Sequence, residues 1–420
     1  MKKERLVVYD IESFPNFFSY TDIDMEGNVT RFYIHNTCNQ LWELLEYLKT
    51  VTKMVGFNNI DYDYPLLHYI IINRGRLKGL SDPSGLINQE SQRIVDAEYS
   101  SIRPKDVLIS QLDLFRLWHF NNKARSTSLK WIEIAINYEN VEDLPFHYLH
   151  YVKTEEIERI LEYNENDVRA TLKFYLLSKG KLELRRRIYS LYGINATNLS
   201  DVDIGERILL KEVAEAMRIS EYDLKQLRTY RSLINLGDVI LPQISFKTDA
   251  FKAVHEWMKN YTVSSTKGLT KLPIEEVKSL LPYVHPDSVK RDKKEKKTVL
   301  ENINIVFNGV RYDFGLGGIH GKCGSGVWKS TDASDLILVD VSSYYPNLAI
   351  KNGFHPEHLP KEAFIRVGEK LYDMRMKAKA DGDDLVVAAI KLALNGALFG
   401  KSNDAYSFMY DPKFMMSINM

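Results

Sequence analysis

The chain has 420 residues, 45% hydrophobic and 11% aromatic, so it is globular and too long for one ordinary core, and two or three domains are expected. It has no apolar run of roughly 18 residues and opens without a signal-peptide pattern, which excludes a membrane span and indicates a cytoplasmic protein. Its two distant cysteines exclude a disulfide framework. Its 56 basic residues equal its 56 acidic ones, without the basic excess typical of nucleic-acid-binding proteins, although clustered charges cancel in such a sum.

The first part of the chain alternates between strand and helix patterns. Residues 5–12 predict a buried strand, residues 41–49 an amphipathic helix, and residues 54–59 a second strand that ends in a turn. A long helix with an apolar stripe is predicted for 155–177. Because this alternation continues to about residue 185, the sequence predicts an α/β domain.

The second part is less regular. The run 290–297 carries six basic and two acidic residues, which indicates a solvated loop, with contact to DNA as the alternative. The other predicted elements are a strand-like segment at 234–246, a hairpin within 304–322 that leads into a glycine-rich turn, a buried strand at 336–340, and an antiparallel helix pair at 361–380 and 384–399.

Acidic residues stand at chemically informative spacings in the first part. Asp10 and Glu12 lie two apart on a strand and leave the same face. Acids at the end of an apolar strand are costly unless a divalent cation compensates them. Asp167 lies four residues after Tyr163 on the long helix, so both share a face. A packed tyrosine beside a solvated acid is the alternative for this second pair.

Together, these segments resemble the three exonuclease motifs of proofreading DNA polymerases. The Asp-Ile-Glu run at 10–12 is similar to the first motif, Asn58 with Asp63 to the second, and Tyr163 with Asp167 to the third. The resemblance implies two-metal hydrolysis of phosphodiesters, in which the four acids hold two Mg²⁺ or Mn²⁺ ions roughly 3.5–4 Å apart. Tyr163 would orient the attacking water.

Two details of these motifs have alternatives. Asp61 competes with Asp63, but the family pattern places the acid directly after an aromatic residue, which favours Asp63. The segment SLKWI at 128–132 resembles the element with which related exonucleases bind a single-stranded 3′ end, and it makes Ser128 and Leu129 candidate DNA contacts together with Asn58. A helix cap explains Ser128 equally well.

The segment DVSSYYPNL at 340–348 resembles a metal-binding motif of family B DNA polymerases, with Tyr344 and Asn347 at positions that hold leucine and serine in the family. The resemblance implies that Asp340 and the Val341 carbonyl bind metal. It also implies that the Tyr345 ring excludes a ribose 2′-hydroxyl. A strand followed by an aromatic turn is the alternative.

The segment KLALNGALFGK resembles the family motif on the second fingers helix, and it makes Lys391 and Asn395 candidate triphosphate ligands. Phe399 stands in for the tyrosine of that motif and falls one residue late. Arg375 and Lys379 lie four apart on the preceding helix and are further triphosphate candidates, with ordinary surface charge as the alternative.

The segment 314–321 resembles the Tyr-x-Gly-Gly loop that contacts the template strand. Gly315 occupies the tyrosine position, so only the backbone roles of Gly317 and Gly318 carry over.

The resemblance covers nearly the whole chain and implies an α/β and α+β multidomain protein. A ribonuclease H-like (DEDD) exonuclease would precede a partial palm and fingers of a right-hand polymerase. The expected divisions are an exonuclease domain at 1–185, a connecting region with the start of the polymerase at 186–330, a palm segment at 331–360, fingers at 361–400 and the start of the remaining palm at 401–420.

The expected function is DNA synthesis with proofreading on primer-template and single-stranded DNA, using deoxynucleoside triphosphates. The Tyr-x-Asp-Thr-Asp motif with the second catalytic carboxylate is absent from the sequence, so a C-terminal polypeptide is expected to complete the palm. Without the insertion of protein-primed polymerases, the chain resembles a compact phage or mobile-element enzyme. The alternatives are a stand-alone 3′→5′ exonuclease and a non-catalytic DNA-binding or assembly subunit.

Overall fold

The computed structural model describes residues 5–97, 102–122, 124–264, 266, 268–341, 343–395 and 401–420. The chain forms two compact units, unit 1 at Met1–Ser200 and unit 2 at Asp201–Met420. None of the helices in the described part of the chain combines the length and the apolar character needed to cross a bilayer.

Unit 1 is built on a six-stranded mixed sheet. Its strands are β1 (Leu6–Phe14), β2 (Phe17–Asp24), β3 (Val29–His35), β4 (Cys38–Asn39), β5 (Lys53–Gly56) and β6 (Ser110–Asp113). They lie in the order β4-β3-β2-β1-β5-β6. β1 runs antiparallel to β2 and parallel to β5, and β5 runs parallel to β6.

Helices cover both faces of this sheet. They are α1 (Leu41–Leu48), α2 (Asp63–Ile72), α3 (Arg74–Lys78), α4 (Ser84–Asp96), α5 (Leu114–Leu117), α6 (Leu129–Ala135), α7 (Ile157–Leu177) and α8 (Lys179–Tyr192). Because side chains alternate along a strand, Val7, Tyr9 and Ile11 pack in one core with α1, α2 and α4, whereas Val8 packs in another with Val168 of α7.

Unit 2 combines helices with short antiparallel strands. The helices are α9 (Asp201–Met217), α10 (Glu221–Leu224), α11 (Asp249–Lys259), α12 (Tyr344–Asn352), α13 (Lys361–Ala380), α14 (Asp384–Lys391) and α15 (Pro412–Asn419). The strands are β7 (Ile234–Asn235), β8 (Thr262–Val263), β9 (Leu272–Pro273), β10 (Val289–Arg291), β11 (Thr298–Leu300), β12 (Ile303–Phe307), β13 (Val310–Gly315) and β14 (Gly318–Lys322). α13 packs against α9 and α14, and α11 shares a core with β12 and β13.

Several sequence predictions are confirmed by these elements. The strand predicted at 5–12 is β1, the helix at 41–49 is α1, and the long helix at 155–177 is α7. The hairpin predicted within 304–322 is formed by β12 and β13, and β14 extends it into a three-stranded sheet. Residues 361–380 form α13 as predicted.

One predicted strand is wrong, and another is confirmed only at its first two residues. Residues 336–340 form no strand with any described part of the chain, and Leu338 in this segment is 95% exposed. A β-prone, apolar composition is insufficient there because an extended backbone needs a neighbouring strand to satisfy its hydrogen bonds. In the segment 234–246 only Ile234–Asn235 is a strand, and a 3₁₀ turn at Leu236–Asp238 follows it.

Candidate metal centre

The acids of β1 face the long helix α7. Asp10 and Glu12 alternate with the core residues Tyr9 and Ile11, so they lie on the same face of the strand as Val8. Val8 packs in one cluster with Val168, the residue after Asp167 on α7. The apolar contact between the strand and the helix therefore sets the position of the acids on both.

Three carboxylates converge between β1 and α7. One carboxylate oxygen each from Asp10, Glu12 and Asp167 lies within 4.8 Å of the other two. Asn164, three residues before Asp167 on the same helix, donates from Nδ2 to the Asp10 carboxylate at 2.6 Å. This bond fixes the orientation of Asp10 toward α7.

Asp63 joins the group from the first turn of α2. It is buried and forms a hydrogen bond with the Asp10 carboxyl group. Burial raises the pKa of Asp63 to about 7, although hydrogen bonds from backbone N–H groups, including that of Ile11, oppose the rise. Asp63 therefore adds an acid from a third secondary-structure element, α2, to the acids of β1 and α7.

The acids disfavour one another's charged forms. Burial raises the pKa of Asp10 well above its usual range, and the neighbouring Asp63, Glu12 and Asp167 raise it further. Burial and the charges of Asp167 and Asp63 raise the pKa of Glu12 in the same way. Crowded carboxylate oxygens are the ligands that Mg²⁺ and Mn²⁺ prefer, and a divalent cation would relieve this repulsion. The residues present therefore fit a divalent metal site.

Lys130 provides a positive charge next to these acids. From α6, its ammonium group donates to the carboxylates of Asp167 at 2.5 Å and Glu133 at 3.2 Å. It also lies 4.9 Å from the centre of the Tyr163 ring, in a cation–π contact. Burial opposes the charged form, but Asp167 and Glu133 raise the pKa of Lys130. Lys130 therefore stays charged and orients Asp167.

Tyr163 lies one helical turn before Asp167 and forms a hydrogen bond with its carboxyl group. Burial, followed by the charges of Asp167 and Glu12, raises the pKa of the Tyr163 phenol. The hydroxyl therefore stays protonated at neutral pH, so it can donate a hydrogen bond to an oxygen at the acidic group.

The other candidates in unit 1 lie around this centre. Asn58 is half-buried in the loop between β5 and α2. Asp61 accepts a hydrogen bond from Arg116 at 2.6 Å and is not part of the three-acid cluster. The Ser128 hydroxyl accepts from the Trp131 N–H and caps α6, of which Leu129 is the first residue. Contact of these residues with DNA stays a prediction.

The residues that the sequence predicts for polymerase activity lie in unit 2. Asp340 is exposed and outside regular structure, and Val341 is exposed beside it. Tyr345 is on α12, with its ring 5.5 Å from that of Tyr344. Among the residues that the structure describes, the only group of three or more acids, histidines or cysteines that fits a metal ion is the one in unit 1.

The candidate triphosphate ligands lie on α13 and at the end of α14. Arg375 donates to the Ser343 hydroxyl at 2.9 Å, which connects α13 to the start of α12. Lys379 is on the last turn of α13. Lys391 ends α14, Asn395 follows it, and Phe399 lies outside the described residues.

Gly317 and Gly318 stand at the turn between β13 and β14. Gly318 has a φ of +97°, and a Cβ there would lie 2.8 Å from the Asn419 carbonyl oxygen. Glycine is therefore needed at this position for conformational as well as steric reasons.

Two residues of the centre were missed in the sequence. Asn164 could have been found, because it precedes Asp167 by three residues and so lies on the same helical face. For Lys130 no spacing signal exists, because its contact with Asp167 joins α6 and α7 across 37 residues. Only tertiary packing brings this ammonium group to the acids.

Comparison with known proteins shows that the fold of this chain is similar to that of a solved structure. No protein family and no curated protein matches the chain. Among solved structures, it is similar to the family B DNA polymerase from the hyperthermophilic archaeon Pyrobaculum calidifontis, with a TM-score of 0.50 and 12% identity over 99% of this chain. The match covers 49% of that polymerase, so the chain spans about half its length. The chain therefore has a mixed α/β fold similar to part of a family B DNA polymerase.

Proposed function

We propose that unit 1 is a metal-dependent 3′→5′ DNA exonuclease with a ribonuclease H-like arrangement, the proofreading part of a family B-like DNA polymerase. The observation that carries this proposal is the crowding of three acids from β1 and α7, which Asp63 of α2 joins through its hydrogen bond with Asp10. The likeness of fold to a family B DNA polymerase supports it.

In this function, Asp10, Glu12, Asp63 and Asp167 hold the divalent ions. Bound Mg²⁺ or Mn²⁺ supplies Lewis-acid activation of water and stabilisation of charge on the phosphate oxygens. The Tyr163 hydroxyl is placed to orient a water molecule by a hydrogen bond. Asn58 and Leu129 contribute to binding of the single-stranded 3′ end, together with Ser128.

The test is degradation of a 5′-labelled single-stranded oligonucleotide in the presence of Mg²⁺. We expect a ladder of products that shorten from the 3′ end, and loss of this activity in the variant Asp10→Ala/Glu12→Ala. The matched control is Asp24→Ala/Glu26→Ala, which removes another Asp-x-Glu pair, formed by the last residue of β2 and a residue of the turn that follows.

The control variant should degrade DNA at the wild-type rate, since Asp24 bonds to Asn28 in an exposed turn. Undiminished degradation by Asp10→Ala/Glu12→Ala would place the nuclease site elsewhere. A wild-type protein that leaves the oligonucleotide intact with both Mg²⁺ and Mn²⁺ would contradict the function itself.

For unit 2 we propose a role in template-directed DNA synthesis. Asp340 and the Val341 carbonyl would contribute to a metal site, Tyr345 would exclude the ribose 2′-hydroxyl, and Gly317 and Gly318 would approach the template. The triphosphate would contact the cationic and amide side chains of α13 and α14, namely Arg375, Lys379, Lys391 and Asn395.

Two-metal nucleotidyl transfer needs several carboxylates, whereas Asp340 belongs to no group of three or more acids, histidines or cysteines that fits a metal ion among the described residues. We propose that a second polypeptide supplies the further palm carboxylate that this reaction needs. The chain should shorten primers without extending them when deoxynucleoside triphosphates and Mg²⁺ are present, and addition of that polypeptide should permit extension. Template-directed extension by the chain alone would contradict this requirement.

A stand-alone exonuclease is the second candidate. The complete acidic group in unit 1 and the exposed position of Asp340 favour it. This function would be supported if the chain degrades DNA efficiently but extends no primer, even when a polypeptide with the palm carboxylate is added.

A further inference from the structure

The loop between β5 and α2, residues 57–62, turns sharply before it reaches Asp63. Asn58 has a φ of +62°, a left-handed conformation that non-glycine residues adopt at some energetic cost. A Cβ on Gly56 would lie 2.6 Å from the Asn59 Cβ, so the loop folds back tightly on the end of β5. A conformation of this kind persists only when surrounding groups hold it.

Asp113, the last residue of β6, holds this loop through its backbone. One carboxylate oxygen accepts from the N–H groups of Asn58 at 2.9 Å and Phe115 at 2.9 Å. The other accepts from the Ile60 N–H at 3.3 Å. Asp113 is completely buried, and these N–H groups compensate a charge that would otherwise be costly in the interior.

Neighbours of Asp113 hold the intervening loop residues. The Gln111 Oε1 atom accepts from the Asn59 amide at 2.9 Å. Arg116 donates to the Asp61 carboxylate at 2.6 Å. Four consecutive loop residues, 58–61, are therefore bonded to a single six-residue segment, 111–116.

The hydrogen bonds that hold the loop also restrict the position of Asp63. The Asn59 carbonyl accepts from the Tyr64 N–H at 2.8 Å, at the first turn of α2. Asp63 stands between these residues in sequence, and its carboxyl group meets that of Asp10. The loop that Asp113 holds thus sets where α2 begins and where Asp63 points.

We infer that Asp113 is a positioning residue of the nuclease centre: it fixes the 58–61 loop so that Asp63 reaches the acids of β1 and α7. This inference rests on the proposed function, because it assigns Asp113 to the metal affinity of the same site. An asparagine at this position would keep one acceptor oxygen but turn an NH₂ group toward an N–H donor, and one hydrogen bond to the loop would be replaced by repulsion.

The experiment compares Asp113→Asn with Asp22→Asn in the full chain. Asp22 is an equally buried aspartate of the same sheet, but it pairs across the strands with Tyr9, on the face away from Asp10, and bonds to the hydroxyls of Tyr20 and Tyr47. Both variants are assayed for thermal unfolding and, without DNA, for Mn²⁺ binding by electron paramagnetic resonance.

We expect Asp113→Asn to weaken Mn²⁺ binding by about tenfold or more, the range found for residues that orient metal ligands. Asp22→Asn should lower the unfolding temperature but leave Mn²⁺ affinity within about twofold of the wild type. Amide hydrogen exchange at Asn58 and Ile60 should accelerate only in Asp113→Asn. Equal Mn²⁺ affinity in the two variants would overturn the inference.

If Asp113→Asn does not fold, Arg116→Met tests the same loop from a half-exposed position, with an expected weakening of about twofold to fivefold. Unchanged Mn²⁺ affinity in this variant would also overturn the inference. The proposed function fails separately: a wild type that binds Mn²⁺ without degrading DNA would refute the nuclease but not the role of Asp113. A wild type that degrades DNA while Asp113→Asn retains its Mn²⁺ affinity would refute only that role.

Discussion

Among single residues, Lys130 matters most for the acidic group, because it places a positive charge beside the carboxylates. Its ammonium group bonds to Asp167 and Glu133 and covers the Tyr163 ring. Burial raises the pKa of Asp167, and the charge and hydrogen bond of Lys130 offset part of that rise. Lys130 therefore favours the ionised form of a carboxylate that a metal ion requires.

Replacement of Lys130 by alanine should reduce nuclease activity at neutral pH by roughly tenfold to a hundredfold, the effect of losing a hydrogen bond to a charged group. Because Asp167 would then ionise at higher pH, the activity should recover partly as the pH rises. A pH–rate profile measures both effects. Lys173→Ala is the matched control, since Lys173 bonds to the Asn137 carbonyl and lies over the Tyr138 ring. An identical profile for both variants would contradict a role for Lys130.

The pKa of about 7 for Asp63 predicts how metal binding depends on pH. An unfolded aspartate has a pKa of about 3.9, so between these values the folded state binds more protons than the unfolded state. The stability contributed by this group is fully present below pH 4 and is lost as the pH rises through 7. Because metal ions compete with protons for the carboxylate, Mn²⁺ should raise the unfolding temperature more at pH 8 than at pH 5.5.

Thermal unfolding with and without Mn²⁺ at the two pH values measures this difference. The Asp10→Ala/Glu12→Ala variant should show no gain at either pH. A gain of equal size at pH 5.5 and pH 8 in the wild type would show that Asp63 does not titrate in this range.

Among the secondary-structure elements, close helix packing in unit 2 depends on one glycine. A Cβ on Gly205 of α9 would lie 2.1 Å from the Leu392 carbonyl oxygen, just after α14. A backbone atom cannot move away as the end of a side chain can, so even one methyl group must separate the two elements. Gly180 of α8, in contrast, has open space around its Cβ position.

Gly205→Ala should therefore destabilise the protein by about 1–3 kcal/mol, as overpacking does in well-packed cores. Gly180→Ala should stabilise it by about 0.5–1 kcal/mol, because alanine is the better helix former at an unobstructed position. Urea unfolding of both variants measures the free energies. Equal effects of the two substitutions would show that α9 does not approach Leu392 closely.

For the whole molecule, the sequence was most informative where the local repeat of a strand or helix determines the direction in which side chains point. Alternation along β1 and the helical repeat of α7 indicated that Asp10 and Glu12 share one face and that Asp167 shares another with Tyr163. The structure brings these two faces together. Lys130 and Asp113 could not be predicted, because their contacts join residues 37 and 55 positions apart. The strand predicted at 336–340 was wrong because a strand depends on its neighbours as well as on its composition.

The most direct test of the account is a crystal structure of the protein saturated with Mn²⁺, with anomalous diffraction recorded to locate the ions. We predict anomalous density among the carboxylates of Asp10, Glu12 and Asp167, with Asp63 contributing from α2. Density at other sites only, with the Lys130 ammonium group still bonded to Asp167 and no ion among the four acids, would contradict it.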